Sequence, residues 1–234
     1  MFQLMDSGTF DFLLLQEVNE KVLEFLKNLS SPYQLVRAFN EETGKESELC
    51  IAYKTSHKLI ATGFKSFSAM RRDPMFGLKH PSFGILWANF NIGTKILRLA
   101  TLHLHSGVNQ EARLQELRLA KTFLSNNQLP TILAGDFNSG FPREPKNMAN
   151  ILAPEFIWIS KNLGPTLNSR YSENLPHLPN RIAAFLGIFN VGIGLRTDHI
   201  FANAGAANNF EKCLKLPDRV SDHSPVEFII NFPT

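Results

Sequence analysis

Acidic, amide and imidazole side chains recur along this chain, and each group lies beside a short apolar run. A run such as Phe12–Leu15 is typical of a buried strand, so the residues after it stand at a strand end, where a sheet holds side chains rigidly. Carboxylate and amide oxygens suit Mg²⁺, and a histidine beside a carboxylate exchanges protons near neutral pH. If these strand ends converge, the combination favours hydrolysis of a phosphate ester. The groups are Gln16-Glu17, His103, Gly135-Asp136-Phe137-Asn138, Asp198-His199 and Ser221-Asp222-His223-Ser224-Pro225.

The apolar pattern predicts many strands with helices between them, which is typical of a layered α/β domain. Helices are predicted from an Asn19 cap to Leu29, over Gln110–Asn126 and over Asn147–Leu152. Gly93-Thr94 fits a tight hairpin between two of the strands. After Phe12–Leu15, strands are predicted at Val36–Phe39, Leu49–Tyr53, Leu59–Phe64, Gly84–Ile92, Ile96–Leu104, Ile132–Ala134, Phe156–Ile159, Thr197–Ala202, Phe210–Leu216 and Val226–Asn231.

Length and composition favour one globular domain over residues 1–234. The 234 residues are 44% hydrophobic and 19% charged, a balance that allows a large buried core. No apolar stretch reaches the roughly 18 to 20 residues that cross a bilayer, and no signal peptide is visible, so we expect a soluble protein in the cytoplasm by default. Cys50 and Cys213 are expected to be two separate buried thiols.

The charge is weakly basic, with a net value of +3 and a sequence pI near 8.9. This balance favours approach to a polyanion but falls short of the dense basic stripe of a strong nucleic-acid binder. Arg71-Arg72, Lys79 and the segment 143–146 are scattered candidates for phosphate contacts, and simple solvation of the surface is the competing interpretation.

Five signatures, taken in order, resemble the endonuclease/exonuclease/phosphatase superfamily, which includes pancreatic-type deoxyribonucleases, apurinic endonucleases, neutral sphingomyelinases and inositol polyphosphate 5-phosphatases. The resemblance implies a four-layer α/β/β/α sandwich, in which two packed, mainly antiparallel sheets are flanked by helices and the active site lies at one end. The signatures are LLLQEV from Leu13, TLHLHSG from Thr101, ILAGDFNS from Ile132, RTDHIF from Arg196 and SDHSPVEF from Ser221.

The same resemblance implies that Glu17 and Asp222 hold a divalent cation, Mg²⁺ or Mn²⁺. Glu17 on its own could equally be the polar end of a buried strand. An Mg²⁺ ion held by one or two carboxylates with waters and a substrate phosphate favours the metal-ligand interpretation. Gln16 is expected to orient Glu17 by a hydrogen bond.

Asp136 and Asn138 lie two positions apart after a predicted strand. Continued extended geometry would send both side chains to one face while Phe137 faces the core. A surface Asx turn is the alternative that the composition also suits. Together with the other groups, we expect Asp136 to position or deprotonate the attacking water and Asn138 to contact metal-bound water or phosphate.

By similarity, His223 meets the scissile phosphate and Asp198 orients it, which would favour the imidazolium. His103 matches the family's phosphate-contacting or leaving-group-protonating histidine. His105 is expected to be its neighbour, and Glu48 is a weaker candidate for its carboxylate partner. Arg113 and Gln115 are expected to orient their helix, and a structural role is the default for the remaining histidines, namely His57, His80, His177 and His199.

Two segments depart from the family pattern. Complete members begin with a strand that carries an Asn, and residues 1–9 are expected to be at most the end of the helix that follows it. A downstream start, a truncated fragment and a decayed copy are the competing explanations. The apolar segment 181–195 could be a lipid-dipping loop for peripheral membrane contact, or a buried lid.

These features lead to two hypotheses from different classes. The first is an enzyme, a Mg²⁺-dependent phosphoesterase that acts on a phosphodiester or phosphomonoester, as a nuclease or as a sphingomyelinase-like or phosphoinositide-phosphatase-like lipid hydrolase. The second is a truncated, non-catalytic relative that only binds phosphate. The expected partner is a nucleic acid or a phospholipid head group, and the chain is expected to be a monomer.

Overall fold

The computed structural model describes residues 9–28, 32–40, 45–67, 84–105, 110–125, 128–139, 143–168, 194–217 and 223–232. Four helices lie in these ranges, and a 3₁₀ turn covers Ile159–Asn162. The helices are α1 (Glu20–Asn28), α2 (Gln110–Ser125), α3 (Glu144–Leu152) and α4 (Ala204–Ala207). The strands are β1 (Phe12–Leu15), β2 (Tyr33–Asn40), β3 (Lys45–Lys54), β4 (Lys58–Ser66), β5 (Gly84–Ile92), β6 (Lys95–His103), β7 (Thr131–Asp136), β8 (Phe156–Trp158), β9 (Leu167–Asn168), β10 (Gly194–Leu195), β11 (Asp198–Asn203), β12 (Phe210–Lys215) and β13 (Val226–Ile230).

The largest sheet in the described ranges has six strands in the order β4-β5-β6-β7-β11-β8. All its pairs are antiparallel except β6 with β7, and α2 lies in the crossover that a parallel pair requires. Gly135 allows these two strands to approach closely. Its φ is 153°, and a Cβ added there would lie 2.1 Å from the carbonyl oxygen of Leu102.

A second layer of strands packs on one face of this sheet. It consists of the three-stranded sheet β1-β3-β2 and the pair β12-β13. Strands β9 and β10 form a further two-stranded pair. The core between the layers contains buried side chains from β3, β5 and β6, such as Ile51, Phe90 and Leu99, with Phe228 of β13 packed against it.

The outer face of each layer is covered by helices. Along β6, Leu97 and Leu99 join the core between the sheets, whereas Ala100 and Leu102 join a second core under α2 and α3, as the period of two in a strand requires. On the other side, α1 packs on β1 and β3 through a third cluster that includes Leu23. The predicted four-layer α/β/β/α arrangement of mainly antiparallel sheets is therefore confirmed.

Most predicted elements are confirmed with small shifts at their ends. Asn19 caps α1, because its side-chain oxygen accepts the Val22 N–H at 3.1 Å. The prediction for α3 was wrong by three residues at its start, since Pro145 is favourable in the first turn of a helix and does not break it. Cys50 is buried and Cys213 half-buried, and both are free thiols.

The described helices include none that has both the length and the apolar character needed to cross a bilayer. The segment 169–193, which contains most of the apolar stretch 181–195, lies outside the described residues. The same is true of residues 1–8 at the start of the chain.

Candidate active site

Neighbouring strand ends bring three of the candidate side chains onto one row of the six-stranded sheet. The parallel pairing of β6 with β7 places His103 opposite Asp136. The antiparallel pairing of β7 with β11 places Asp198 opposite Asp136 on its other side. His223 forms an isolated bridge with Leu167 of β9, and its side chain contacts Asp198 at this end of the sheet. Four candidates that are far apart in sequence therefore meet at one end of the sheet.

The imidazole of His223 is held by the carboxylate of Asp198. Nδ1 of His223 lies 2.9 Å from Oδ2 of Asp198, and the hydroxyl of Thr197 donates to the same oxygen at 3.0 Å. Burial works to raise the pKa of Asp198, but hydrogen bonding and the charge of His223 outweigh it and hold the pKa below its usual value. An ionised carboxylate only accepts hydrogen bonds, so Nδ1 carries a proton and Nε2 faces the rest of the site.

The carboxyl group of Asp136 lies at the centre of the cluster. Its Oδ2 is 3.8 Å from Nε2 of His103 and 3.9 Å from Nε2 of His223, and its side chain is only 8% exposed. Burial raises the pKa of Asp136 to about 6, the charge of Asp198 adds to this effect, and His103 and His223 oppose it. A carboxylate of raised pKa between two imidazoles is a suitable base for a water molecule.

Glu17 stands at the solvent side of the same cluster. Its Oε1 is 3.9 Å from Nε2 of His103, and its side chain is 74% exposed. The φ of Glu17 is 55°, a left-handed conformation that costs a non-glycine residue free energy and is enriched at functional sites. The preceding residue fixes this strand end, because Nε2 of Gln16 donates to the hydroxyl of Thr101 on β6 at 2.7 Å.

Asn138 reaches the cluster by a different geometry from the extended one that we predicted. Strand β7 ends at Asp136, and Asn138 has a φ of 50°. Its backbone N–H donates to Oδ1 of Asp136 at 2.7 Å, and its side-chain Nδ2 donates to the carbonyl of Leu104 at 2.8 Å. An Asx-type turn therefore forms, and it ties the end of β7 to the end of β6 beside the candidate residues.

The residues described at this end of the sheet fit an open site for Mg²⁺. No group of three or more His, Cys, Asp or Glu side chains in the described ranges is arranged to hold a metal ion. Mg²⁺ is commonly held by one or two carboxylates with waters and substrate phosphates, so it does not need such a group. The exposed carboxylate of Glu17 fits this requirement. Asp222, the second expected ligand, lies outside the described residues.

Behind the cluster, α2 holds the chain as it leaves β6. Oε2 of Glu116 accepts the backbone N–H of His105 at 2.9 Å, and Arg113 donates from Nη1 to the His105 carbonyl at 3.3 Å. Arg113 also pairs with the buried Glu144 of α3 at 2.6 Å. His105 is buried. Arg113 was expected to orient its helix, and its contact with Glu144 joins α2 to α3.

Several other sequence candidates make contacts outside this cluster of side chains or are not described. His57 forms an ion pair with Asp11 at the start of β1, at 3.3 Å. His199 is buried, with Nε2 2.7 Å from the hydroxyl of Ser139.

The carbonyl of Glu48 accepts the N–H of Val18, and Gln115 contacts Glu111 on the exposed side of α2. His80, His177, Arg71-Arg72 and Lys79 lie outside the described residues.

Two buried threonines beside the pair of Asp198 and His223 were not predicted from the sequence. Thr166 and Thr197 are almost fully buried, and both hydrogen-bond to Asp198. Thr166 lies in the segment Gly164-Pro165-Thr166, which has no apolar period, so only its three-dimensional contacts reveal it. Thr197 belongs to the RTDHIF signature, but the signature alone predicts no role for its hydroxyl.

The comparison with protein families gives one match that covers most of the chain. The model of the endonuclease/exonuclease/phosphatase family matches residues 3–223. No curated protein sequence matches the chain.

Solved structures with the same fold include proteins of different named activities. TDP2 from D. rerio, complexed with a single-strand DNA product, is 17% identical with a TM-score of 0.73, and the match covers 99% of this chain and 90% of that one. A mannosyl-6-phosphatase from Bacteroides thetaiotaomicron is 17% identical with a TM-score of 0.69, covering 98% and 88%. Beta toxin from Staphylococcus aureus is 14% identical with a TM-score of 0.66, covering 95% and 87%. These TM-scores show a shared fold. The family match over residues 3–223 shows that the chain belongs to the endonuclease/exonuclease/phosphatase family.

Proposed function

We propose that this protein is a Mg²⁺-dependent phosphoesterase that hydrolyses a phosphodiester or a phosphomonoester. The observation that carries the proposal is the convergence of Asp136, His103 and the pair of Asp198 and His223 at one end of the sheet. A base flanked by two imidazoles, one of them fixed by a carboxylate, has the groups that hydrolysis of a phosphate ester requires.

We assign each side chain a catalytic role according to its position. Asp136, buried and with a raised pKa, orients the attacking water and accepts its proton. Asp198 keeps the Nδ1 proton of His223 in place, so Nε2 of His223 faces the phosphate. His103 contacts the phosphate or protonates the leaving oxygen, and Asn138 holds the ends of β6 and β7 in register while it contacts substrate.

Glu17 would hold the cation, together with Asp222 as the sequence resemblance implies. A bound Mg²⁺ supplies positive charge that polarises the phosphate and orients it. The open position of Glu17 leaves room for a substrate phosphate to complete the coordination.

The named activities of the structural neighbours support a phosphate ester as substrate and favour no single ester. TDP2 is bound to a single-strand DNA product, whereas another neighbour is named as a phosphatase of a mannosyl phosphate. The weakly basic charge of the chain is compatible with a nucleic acid, so we propose single-stranded DNA as the first substrate to test.

The test is a substrate panel with Mg²⁺ or Mn²⁺, and with EDTA as the metal-free reference. The panel contains a single-stranded oligodeoxynucleotide, bis(p-nitrophenyl) phosphate, p-nitrophenyl phosphate and sphingomyelin vesicles. We expect Asp136→Ala and His223→Ala each to lower kcat by about 100-fold or more on whichever ester is cleaved. Turnover equal to that of the wild type in both variants would reject the assignment.

The pair of Asp11 and His57 provides a matched control, because it also places an aspartate carboxylate beside an imidazole, at 3.3 Å, but lies at the start of β1. Asp11→Ala and His57→Ala should leave kcat within about twofold of the wild type, since their side chains contact each other, Lys54 and Phe12, and none of these is a candidate site residue. A wild-type protein that cleaves nothing in the panel yet binds the oligodeoxynucleotide would favour the non-catalytic alternative.

A further inference from the structure

Thr166 is the residue at which three segments of the candidate site meet. It is fully buried and directly precedes β9. Its carbonyl accepts the backbone N–H of Ser224 at 2.7 Å, and the next residue, Leu167, forms a bridge with His223. The backbone at Thr166 therefore fixes the position of the segment that carries His223.

The hydroxyl of Thr166 holds the segment that carries Asp198. Oγ1 accepts the backbone N–H groups of Thr197 and Asp198, each at 3.1 Å. The hydroxyl also hydrogen-bonds to the carboxylate of Asp198, and this contact helps to lower the pKa of that group. Oγ1 of Thr166 also lies 3.4 Å from Oγ1 of Thr197, so all of its hydrogen-bond contacts among the described residues are with the segment 197–198.

Both members of the pair of Asp198 and His223 are thus fixed by a single residue through different groups. The hydroxyl orients Asp198, and the backbone places His223 at 2.9 Å from it. We propose that Thr166 is a positioning residue, whose hydroxyl holds the carboxylate of Asp198 in the orientation that directs His223 at the substrate phosphate. This inference rests on the proposed phosphoesterase function.

A structural role and a positioning role predict different results for Thr166→Val. Valine has nearly the same shape but lacks the hydroxyl, and the backbone contact with Ser224 stays available. Loss of packing or of one buried hydrogen bond would lower stability without a specific effect on kcat. Loss of orientation would lower kcat while substrate binding is kept, because the remaining phosphate contacts are unchanged.

The chain offers a matched control in Thr131. It is also fully buried, its hydroxyl donates to the carbonyl of Leu129 at 2.8 Å, and it begins β7 at the end opposite Asp136. At about 3.3 Å per residue, β7 places Thr131 about 17 Å from Asp136. Thr131→Val therefore removes a comparable buried hydroxyl without touching the site.

The experiment measures kcat and KM of the wild type, Thr166→Val, Thr166→Ser and Thr131→Val with Mg²⁺ on the most rapidly cleaved ester of the panel. We expect Thr166→Val to lower kcat by about 10- to 100-fold with KM within about threefold. Thr166→Ser, which keeps the hydroxyl, should recover most of the activity, and Thr131→Val should match the wild type in kcat. Equal losses in the valine and serine variants, or in Thr166→Val and Thr131→Val, would overturn the proposal.

Amide hydrogen exchange separates a failure of this inference from a failure of the proposed function. In Thr166→Val the amides of Thr197 and Asp198 lose their acceptor and should exchange at least about 10-fold faster, whereas Thr166→Ser should protect them as the wild type does. Unchanged exchange in Thr166→Val would overturn the inference even if the protein cleaves esters. If the wild type cleaves no ester, the proposed function fails, and the positioning role for Thr166 fails with it.

Discussion

The carboxylate of Asp198 determines what His223 can do. Because the carboxylate accepts a hydrogen bond from Nδ1–H, Nε2 of the neutral ring is a base, and protonation of Nε2 gives an imidazolium that the same carboxylate stabilises. Thr197 and Thr166 hydrogen-bond to the carboxylate and keep it ionised. The functional unit at this scale is therefore an imidazole with its acid and two hydroxyls.

We predict that Asp198→Asn lowers kcat by about 100-fold or more, with a smaller effect on KM. The change keeps the size of the side chain but removes the charge that stabilises the imidazolium, and an amide can also present its NH₂ group to Nδ1 and select the wrong tautomer. Steady-state kinetics with Mg²⁺ measure the effect.

Asp11→Asn is the control for this prediction, because Asp11 also pairs with a histidine but lies outside the site. Its kcat should equal that of the wild type. If Asp198→Asn and Asp11→Asn both keep wild-type turnover, the orientation of His223 has no part in the rate-limiting step.

Helix α2 stabilises the end of β6 from behind through a buried acid. Glu116 is fully inaccessible to solvent, and its carboxyl group accepts the His105 N–H. Burial raises the pKa of Glu116 to about 7, although the hydrogen bond from His105 and the charge of Arg113 oppose this rise. The folded protein therefore keeps on Glu116 a proton that the unfolded chain releases near pH 4.5.

We predict that this proton makes stability depend on pH. The contribution of Glu116 is fully present below pH 4.5, and it is lost as the pH rises to about 7. At about 1.4 kcal/mol per pKa unit, the loss amounts to about 3 kcal/mol. Glu116→Gln imitates the protonated acid, so the free energy of unfolding of this variant, measured with urea across the window, should lack that decrease.

Glu111 supplies the control on the same helix, because its carboxyl group is exposed and pairs with Arg118. Glu111→Gln should keep the wild-type pH dependence. Parallel curves for the wild type and Glu116→Gln would show that Glu116 is ionised throughout the window in the folded protein.

At the scale of the whole molecule, the apolar pattern predicted a layered α/β domain, and the family resemblance predicted the four layers. Residues of β6 alternate between the core that separates the sheets and the core under α2 and α3, which is the pattern that the sequence displays. The order of the signatures then indicated which strand ends carry the candidate side chains, and His103, Asp136 and Asp198 do lie opposite one another.

The sequence could not reveal features that depend on contacts between irregular segments. Thr166 lies outside the helices and strands, so no period marks it. Asn138 was identified from the sequence, but its left-handed φ does not follow from a period. The four residues of α4 and the two-residue strands β9 and β10 are too short to have a period. Prediction therefore succeeded where a side chain follows a long strand, and it failed where a backbone turn or a distant hydroxyl sets the geometry.

Strands β6 and β7, which carry the facing residues His103 and Asp136, approach each other closely at Gly135. Gly135→Ala tests whether the fold requires this close approach. A methyl group there would meet the carbonyl oxygen of Leu102, which the backbone of a buried strand cannot easily move away. We expect a loss of at least about 3 kcal/mol in the free energy of unfolding, or a decrease in Tm of about 6 to 12 °C. Calorimetry measures the change.

Gly164→Ala is the matched control, since an added Cβ at Gly164 meets nothing within 4 Å. Its Tm should stay within about 2 °C of the wild type. A Gly135→Ala protein as stable as this control would mean that β6 and β7 can separate at little cost.

The lack of space at Gly135 has a genetic consequence. Every glycine codon begins with two guanines, and any nucleotide change there that is not silent introduces either a bulkier residue or a stop. Missense alleles at this codon should therefore be lost together in a growth selection that requires the protein, whichever amino acid they encode, while alleles of Gly164 persist.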